Sequence, residues 1–278
     1  MRPVSFGVMI ALMVFVSGCG VRYPTHVPGD STESLNNALN SVVALVEVSG
    51  DDMEGPYCTG FFISETDLIT AGHCVLESEI SIVEGPDGLS LSFEFEDPED
   101  AVGREINFIN YEQFNTWVGE SDAERPENPE YMTATVLSVV DVDHGDMALL
   151  RLVPNSPHSA HWLSIRNWTT EGRPTIGEEI YALGMPVGEP WVLTRGIISR
   201  MHIELDNQVF IFHDARIGHG SSGSPLLDAR GNVIGVNVQI SRNNIFSKAS
   251  PSTIVHTLYR LHELYREVEE LDREQTTS

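Results

Sequence analysis

Positive charge is scarce in this chain. Lysine and arginine together number 16, against 41 aspartates and glutamates among 278 residues, so the formal net charge is −25 at pH 7. Proteins that bind nucleic acid neutralise its phosphates with lysine and arginine, so this charge balance argues against nucleic acid bound through its phosphates, and we expect no nucleic-acid partner. The negative charge favours solubility and disfavours acidic partners, but it carries no information about the fold.

Cysteine, internal repeats and long apolar runs are also scarce. The chain has three cysteines, shows no repeat of fixed period, and nothing in its composition suggests collagen or general disorder. The apolar stretch from Val8 to Val16 is too short to span a bilayer. Hydrophobic residues still make up 41% of the chain, and its length suffices for one large or two small cores.

The first 18 residues have the pattern of an export signal. Arg2 precedes the apolar stretch and small residues follow it, as in a secretory signal peptide. The Val-Ser-Gly-Cys sequence that ends at Cys19 resembles the lipobox of bacterial lipoproteins, which implies lipidation of Cys19 and a lipid anchor in the membrane. By the same resemblance, Gly20 implies export to the periplasmic side of the outer membrane. An ordinary cleaved signal or an uncleaved anchor remains an alternative.

A glycine-rich segment, Gly-Ser-Ser-Gly-Ser-Pro over residues 220–225, holds a candidate nucleophile. A serine between two glycines sits on a tight turn, where its hydroxyl can project and backbone N–H groups can approach one point. Such N–H groups can bind the negative oxygen of a tetrahedral acyl-transfer intermediate. We therefore interpret Ser222 as the nucleophile, and the N–H groups of Gly220 and Ser222 as the oxyanion hole. The alternative is a turn serine with no chemical role.

A serine hydroxyl needs a base, and histidine near its ordinary pKa is the usual one. His73, in Thr-Ala-Gly-His-Cys over residues 70–74, is the candidate, although it could also be a core histidine. A carboxylate must then orient the imidazole. Asp146 is the best candidate for this role, while Asp141 and Asp143 lie close by as alternatives.

The order His73, Asp146, Ser222 and the motifs around them resemble the trypsin-like serine protease superfamily, over about residues 38–262. The segments at 58–64 and 228–237 resemble the family's strand before the histidine and its hairpin after the nucleophile. Those at 194–199 and 213–217 resemble the bacterial HtrA (DegP-type) branch. We expect no PDZ domain of the kind that many HtrA proteases carry, because the resemblance leaves no residues for one.

The resemblance implies an all-β fold, with two six-stranded antiparallel barrels of chymotrypsin type and the site in the cleft between them. Strand-like runs fall at 41–48, 61–64, 68–70, 131–140, 147–153, 179–183, 192–199, 208–213, 224–227 and 233–239. Apolar residues at helical spacing predict a C-terminal helix, which we expect to pack on the second barrel. The expected units are a signal peptide (1–18), a tether (19–37), a protease domain (38–262, with barrels at about 38–155 and 172–250) and a helical tail end (263–278).

The resemblance also implies a disulfide between Cys58 and Cys74. This pair remains once Cys19 is lipidated, and an exported protein meets an oxidising compartment. A zinc site built from Cys58, His73 and Cys74 is the alternative, but it lacks a fourth ligand at usual spacing. We expect no metal and no cofactor.

Residues 77–130 are rich in acidic residues and prolines. We interpret them as a solvated insertion in the first barrel. A loop that binds a partner or a cation is the alternative, although no regular calcium-loop spacing is present.

The motif around the nucleophile predicts no zymogen step. Ser221 stands where digestive proteases carry the aspartate that pairs with a newly cut N-terminus, and no Ile-Val-Gly-Gly activation sequence precedes the first strand. We therefore expect folding alone to assemble the site.

The primary substrate pocket is only loosely specified by the sequence. By the resemblance, Arg216, Ile217 and His219 line one wall and Gln239 lies on another. A preference for small aliphatic side chains, as in HtrA enzymes, is the first expectation. Pairing of Arg216 with a substrate carboxylate is the second, and a solvent-facing Arg216 is a third. His213 and His219 could both be surface residues.

These observations predict a lipid-anchored serine endopeptidase that cuts polypeptides of the cell envelope or the extracellular space through an acyl-enzyme. Two alternatives remain. One is a non-catalytic lipoprotein that binds a partner on a trypsin-like fold, and the other is an esterase that uses the same triad. No residue specifies an oligomeric state.

Overall fold

The computed structural model describes residues 30–49, 52–85, 88–119, 130–189, 191–203, 209–240 and 246–276. The expected signal peptide (1–18), Cys19 and the tether up to residue 29 lie outside the described residues. Within the described ranges, no helix combines the length and the apolar composition needed to cross a bilayer.

Fourteen strands and three helices make up the described chain. The first half contains α1 (Asp30–Ser41), β1 (Val42–Ser49), β2 (Asp52–Phe62), β3 (Asp67–Thr70), β4 (Ser78–Gly85), β5 (Gly88–Phe95), β6 (Glu105–Asn110), α2 (Tyr111–Gly119), β7 (Met132–Val140) and β8 (Met147–Leu152). The second half contains β9 (Glu179–Gly184), β10 (Val192–Ile203), β11 (Val209–His213), β12 (Pro225–Asp228), β13 (Val233–Ile240), β14 (Ser247–Pro251) and α3 (Ile254–Thr276). Short 3-10 turns lie at Gly72–Cys74, Pro98–Ala101 and Pro186–Gly188.

The strands form two closed six-stranded barrels and a separate hairpin. The first barrel has the order β1-β2-β3-β8-β7-β6, the second has the order β10-β11-β14-β13-β12-β9, and β4 pairs only with β5. Paired strands within both barrels are antiparallel. The predicted all-β fold with two six-stranded barrels is confirmed.

Strand β1 shows why the barrels pack so closely. Its residues Val42, Val43, Ala44, Leu45 and Val46 are all buried. Because side chains alternate along a strand, Val43 and Leu45 fill the interior of the first barrel, whereas Val42, Ala44 and Val46 join a cluster shared with β9, β12 and β13. A continuous apolar run therefore buries both faces of one strand, and its outer face packs the first barrel against the second.

The C-terminal helix α3 packs on the first barrel, so the expectation that it packs on the second barrel was wrong. It contacts β7 and β8. Ser138 Oγ donates to the carbonyl of Leu258 at 2.8 Å, and the Tyr259 hydroxyl donates to Asp67 Oδ2 at 2.8 Å. The apolar spacing of the helix defines a buried face but not the surface that receives it, and these two hydrogen bonds add specific partners on the first barrel.

The acidic segment 77–130 is only partly an insertion. Strand β6 lies within it and closes the first barrel by pairing with β1 and β7. Ile106 and Phe108 point into the barrel interior. The interpretation of 77–130 as a solvated insertion therefore fails for this strand, which was missed because it is short and carries Glu105 and asparagines between its apolar residues.

Two further elements differ from the expectations. Helix α1 includes residues 30–37, which belong to the segment (19–37) interpreted as a tether. Strand β14, with the sequence Ser-Lys-Ala-Ser-Pro, was not predicted because it lacks an apolar alternation. Its position is decided by backbone pairing with β11 and β13.

Candidate active site

His73 lies in the 3-10 turn that follows β3, next to the loop between β7 and β8. Its backbone N–H donates to Asp146 Oδ1 at 2.8 Å, and its ring Nδ1 lies 2.8 Å from Asp146 Oδ2. Gly72 permits this approach, because a Cβ there would lie 2.7 Å from the carbonyl oxygen of Val140. The carboxylate thus holds Nδ1–H and leaves Nε2 of the neutral ring as an acceptor.

Among the three neighbouring aspartates, Asp146 is the one that reaches His73. It is 6% exposed, and its backbone N–H donates to the Asp141 carbonyl at 2.7 Å. Its φ of 48° lies in the left-handed region, which aspartate tolerates better than most residues. Asp141 instead pairs with the exposed His144 at 2.7 Å, and Asp143 is exposed on the cleft.

The segment that carries Ser222 turns between two glycines with positive φ, Gly220 at 90° and Gly223 at 84°. A Cβ on Gly220 would lie 2.3 Å from the carbonyl oxygen of Met185. A Cβ on Gly223 would lie 2.0 Å from the carbonyl oxygen of Thr59. Both positions therefore require glycine. A Cβ would clash with a neighbouring carbonyl oxygen, and a positive φ is unfavourable for other residues.

Strand β2 connects the serine segment to the histidine turn. The N–H of Thr59 donates to the Ser222 carbonyl at 2.8 Å, and its hydroxyl donates to the Gly220 carbonyl at 2.7 Å. The adjacent Cys58 forms a disulfide with Cys74, with Cα atoms 6.1 Å apart. The predicted disulfide is therefore present. It links Cys74, the neighbour of His73, to strand β2, which is hydrogen-bonded to the Ser222 carbonyl.

The disulfide rules out the alternative of a zinc site at Cys58, His73 and Cys74. One ring nitrogen of His73 and the two sulfurs do lie within 4.8 Å of one another. However, both sulfurs are consumed in the disulfide, and zinc needs the thiolates. The cysteines act here as a covalent link between two parts of the site.

The N–H groups of Gly220 and Ser222 have no acceptor among the described residues. The His219 carbonyl accepts from the N–H of Val187 at 2.6 Å, and a trans peptide directs the N–H of Gly220 to the opposite side. Ser221 closes the turn by donating its N–H to the Gly218 carbonyl at 2.9 Å. The two unpaired N–H groups leave room for an external negative oxygen.

A buried polar network lies beneath the serine segment. His213 Nε2 is 2.8 Å from Asn237 Oδ1, the Asn237 amide nitrogen donates to Ser224 Oγ at 2.9 Å, and the Gly223 N–H donates to the Asn237 carbonyl at 2.7 Å. His213 is fully buried, so the alternative of a surface residue is wrong for His213. Burial lowers the pKa of His213 to about 4, because the charged imidazole would lose its water.

Sequence analysis missed three contributors to this arrangement, namely Thr59, Ser224 and Asn237. Their roles depend on contacts between segments far apart in the chain. Asn237 interrupts the apolar run of β13, a strand whose first six residues are all buried, and a buried polar residue needs partners. That signal could have marked Asn237.

Two cavities flank the site. One, of about 820 Å³, borders His73 and Asp146 and is also lined by Asp143, His144, Gln239 and Lys248. The other, of about 580 Å³, is lined by Arg216, Ile217, His219 and Ile240, among others. Three of the four expected pocket residues thus share one cavity, whereas Gln239 lies in the other, beside His73.

Comparison with known proteins identifies the family. Residues 58–236 match the trypsin-like peptidase domain. The chain belongs to that family. The match contains His73, Asp146 and Ser222, and the resemblance to trypsin-like serine proteases of the HtrA type is confirmed.

Several bacterial relatives carry names of the HtrA type or related proteases. A probable periplasmic serine endoprotease, DegP-like, of Hahella chejuensis is 33% identical over 35% of this chain and 20% of the relative. The putative serine protease HhoA of Synechocystis is 38% identical over 34% of this chain and 25% of the relative. The magnetosome formation protease MamE of Paramagnetospirillum magneticum is 34% identical over 36% of this chain and 14% of the relative. The chain thus matches a quarter or less of the length of these relatives.

Solved structures agree on the fold. A serine endoprotease from Yersinia pestis superposes with a TM-score of 0.55 at 18% identity, covering 85% of this chain and 67% of the other. An HtrA-type protease with a tripeptide gives a TM-score of 0.54 at 18% identity, covering 83% and 62%. At this identity the likeness concerns architecture alone.

Proposed function

We propose that this chain is a serine endopeptidase in which Ser222 is the nucleophile, His73 the general base and acid, and Asp146 the group that orients His73. The observation that carries the proposal is the pair of hydrogen bonds that Asp146 accepts from the backbone N–H and the ring Nδ1–H of His73, at 2.8 Å each. An imidazole held in this way has a single tautomer and an Nε2 lone pair directed away from the carboxylate.

The proposed reaction begins with attack of Ser222 Oγ on a substrate carbonyl carbon. As the new C–O bond forms, Nε2 of His73 takes the hydroxyl proton and the carbonyl electron pair moves onto its oxygen. That oxygen lies against the N–H groups of Gly220 and Ser222, which we assign as the oxyanion hole. Their lack of an acceptor within the described chain supports this role.

The tetrahedral intermediate then breaks down in two stages. His73 gives its proton to the leaving amine nitrogen as the C–N bond breaks, and an ester to Ser222 remains. Water attacks this ester, its proton passing to His73 and from there to Ser222 Oγ as the acid product leaves. The imidazolium that forms in each stage is stabilised by Asp146, which is buried and bonded to the same ring.

We further propose that folding alone assembles the site, without a zymogen cleavage. Ser221 is 2% exposed and closes the turn at 218–221 through hydrogen bonds within the turn itself. No newly formed N-terminus is needed to hold a segment that is satisfied internally.

The proposed location is the cell envelope, with lipidation at Cys19 on the periplasmic side of the outer membrane. The names of the DegP-like and MamE relatives, periplasmic endoprotease and magnetosome formation protease, support export. The substrates would then be envelope or extracellular polypeptides.

A fluorophosphonate probe tests the triad in the intact chain, because it reacts with an activated serine whatever the substrate preference. We expect labelling of the wild type and loss of labelling in Ser222→Ala. Cleavage of fluorescein-labelled casein should fall by roughly 10⁴-fold or more in the same variant. Ser164→Ala, which removes an exposed hydroxyl on the connector between the barrels, is the matched control.

The outcomes separate the alternatives. A folded wild type that neither reacts with the probe nor cleaves casein would be a binding module. Labelling with hydrolysis of p-nitrophenyl acetate but no casein cleavage would indicate an esterase. Labelling that arises only after N-terminal trimming, as judged by intact mass, would refute the absence of a zymogen step.

A further inference from the structure

The cavity of about 580 Å³ adjoins the serine segment, because part of its lining comes from the residues that precede this segment in the chain. Its lining includes Arg216, Ile217, Gly218 and His219, and residue 219 precedes the first of the two unpaired N–H groups. A side chain of a polypeptide bound with its carbonyl at those N–H groups has this cavity within reach. Its lining therefore bears on which side chain the site accepts.

Arg216 differs from most other cationic side chains of this acidic molecule because it has no partner within the described residues. Ion pairs to carboxylates hold Arg104, Arg151, Arg166 and Arg195. Arg173, Arg200 and Lys248 lie over aromatic rings. Within the same ranges, Arg216, Arg230 and Arg260 have neither kind of partner, and of these three Arg216 lines the cavity.

The acidic residue in the cavity lining, Asp214, is hydrogen-bonded to the backbone of β10 and not to Arg216. Asp214 Oδ1 accepts the backbone N–H of Ile197 at 2.7 Å. The carboxylate lies so close to Gly196 that a Cβ on that glycine would be 2.4 Å from it. Asp214 is therefore held against strand β10, and no ion pair within 4.0 Å joins it to Arg216 in the described chain.

The backbone that carries Arg216 is fixed from two sides. Thr194 Oγ1 donates to the Arg216 carbonyl at 2.8 Å, and Ser247 Oγ donates to the Ala215 carbonyl at 3.1 Å. These bonds tie the cavity wall to β10 and β14. The backbone at Arg216 is thus held in place, so only its exposed side chain has to become ordered when a partner binds, and this limits the entropic cost.

We propose that Arg216 selects substrates with a glutamate or aspartate side chain on the acyl side of the scissile bond. The inference rests on the proposed function, because it concerns the same site. A guanidinium can bind a carboxylate through two parallel charge-assisted hydrogen bonds, a geometry that neutral side chains cannot reproduce. A small aliphatic side chain would leave both the cavity volume and this charge unused.

The net charge of −25 does not argue against binding of an acidic side chain in this cavity. Charges in solution are screened over about 8 Å at physiological ionic strength. A carboxylate in contact with Arg216 therefore experiences the guanidinium far more strongly than the distant acidic surface. The surface charge slows the approach of acidic substrates, so raising the salt concentration should increase their association rate.

The test uses fluorogenic peptides of one sequence that differ only in the residue on the acyl side, namely Glu, Asp, Gln, Ala, Val or Lys. We expect kcat/KM for Glu to exceed that for the isosteric Gln by about tenfold or more. Arg216→Ala should abolish this ratio, and Arg216→Glu should shift the preference towards Lys. Arg230→Ala, at an exposed unpaired arginine, is the control and should retain the ratio.

Fluorophosphonate labelling, measured in parallel, gives the concentration of competent sites in each variant. With labelling present, a preference for Ala or Val, an unchanged ranking in Arg216→Glu, or no cleavage of any peptide would overturn the inference while leaving an activated serine. Absence of both labelling and cleavage in the wild type would instead defeat the proposed function, and the inference with it.

Discussion

The two halves of the site are held by different kinds of interaction. The histidine half, formed by the Gly72–Cys74 turn and residues 141–146, belongs to the first barrel and depends on a buried ionisable carboxylate. The serine half, residues 218–224, belongs to the second barrel and depends on backbone hydrogen bonds and a neutral buried network around Asn237. The proton-handling groups and the groups that receive negative charge are thus supported separately, and β2 with the Cys58–Cys74 disulfide joins them.

The difference has a physical reason. An imidazole that gains and loses a proton needs a nearby negative charge to stabilise the charged form. An oxyanion hole needs N–H dipoles that do not reorganise during the reaction. A titrating group beneath the serine half would disturb that field, and the lowered pKa of His213 keeps its imidazole neutral.

The largest expected effect comes from the histidine half. Asp146→Asn should lower kcat/KM for peptide cleavage by roughly 10⁴-fold, because an amide can stabilise the wrong tautomer of His73 and cannot stabilise the imidazolium. Thermal unfolding should show that the variant still folds. Asp143→Asn, an exposed neighbour on the same loop, is the control, and a similar loss in that variant would contradict the assignment.

The second expected effect comes from the serine half, where His213 makes the free energy of unfolding depend on pH. The His213 pKa is about 4 in the folded chain, against about 6.5 when unfolded. As pH falls from 6.5 to 4, the unfolded state takes up a proton that the folded state does not, so the free energy of unfolding decreases. The total loss attributable to His213 is about 3 kcal/mol, and it is complete below pH 4.

Urea unfolding between pH 7 and pH 4 measures this loss. His213→Gln keeps an N–H donor for Asn237 but does not titrate, so the wild type should lose more stability than the variant over that range. His256→Gln, at an exposed position on α3, should behave like the wild type. Equal pH slopes for His213→Gln and the wild type would contradict a buried neutral imidazole.

The smallest expected effect concerns the support of the histidine half by α3. The side chain of Ile254 in this helix packs against Gly145, the residue before Asp146. A Cβ on Gly145 would lie only 2.4 Å from Ile254 Cδ1. Tyr259→Phe removes the hydroxyl that donates to Asp67, a carboxylate also bound by Arg151 through two hydrogen bonds.

We expect Tyr259→Phe to cost about 1 kcal/mol of unfolding free energy, with kcat/KM nearly unchanged. Chemical denaturation measures it, and Tyr131→Phe, at an exposed tyrosine, serves as the control. A large loss of activity at unchanged stability would show that α3 influences Asp146 more directly than its packing indicates.

Several features could be predicted from local patterns. The Gly-Ser-Ser-Gly-Ser-Pro and Thr-Ala-Gly-His-Cys segments require unusual backbone geometry and specific small residues, so their sequence is informative by itself. Most barrel strands were predicted for a similar reason, because alternation or continuous apolar character reports burial directly. Strands β6 and β14 lack that signal and depend on pairing with distant strands.

The sequence by itself determined the family, the two-barrel architecture and the candidates His73, Asp146 and Ser222, since each leaves a local trace in spacing or glycine placement. Only the tertiary structure decided which aspartate reaches His73, which barrel receives α3, that His213 is buried, and that Arg216 lacks an ion-pair partner in the described chain. These properties depend on distances between segments far apart in the chain. Such distances arise from packing, and no local pattern encodes them.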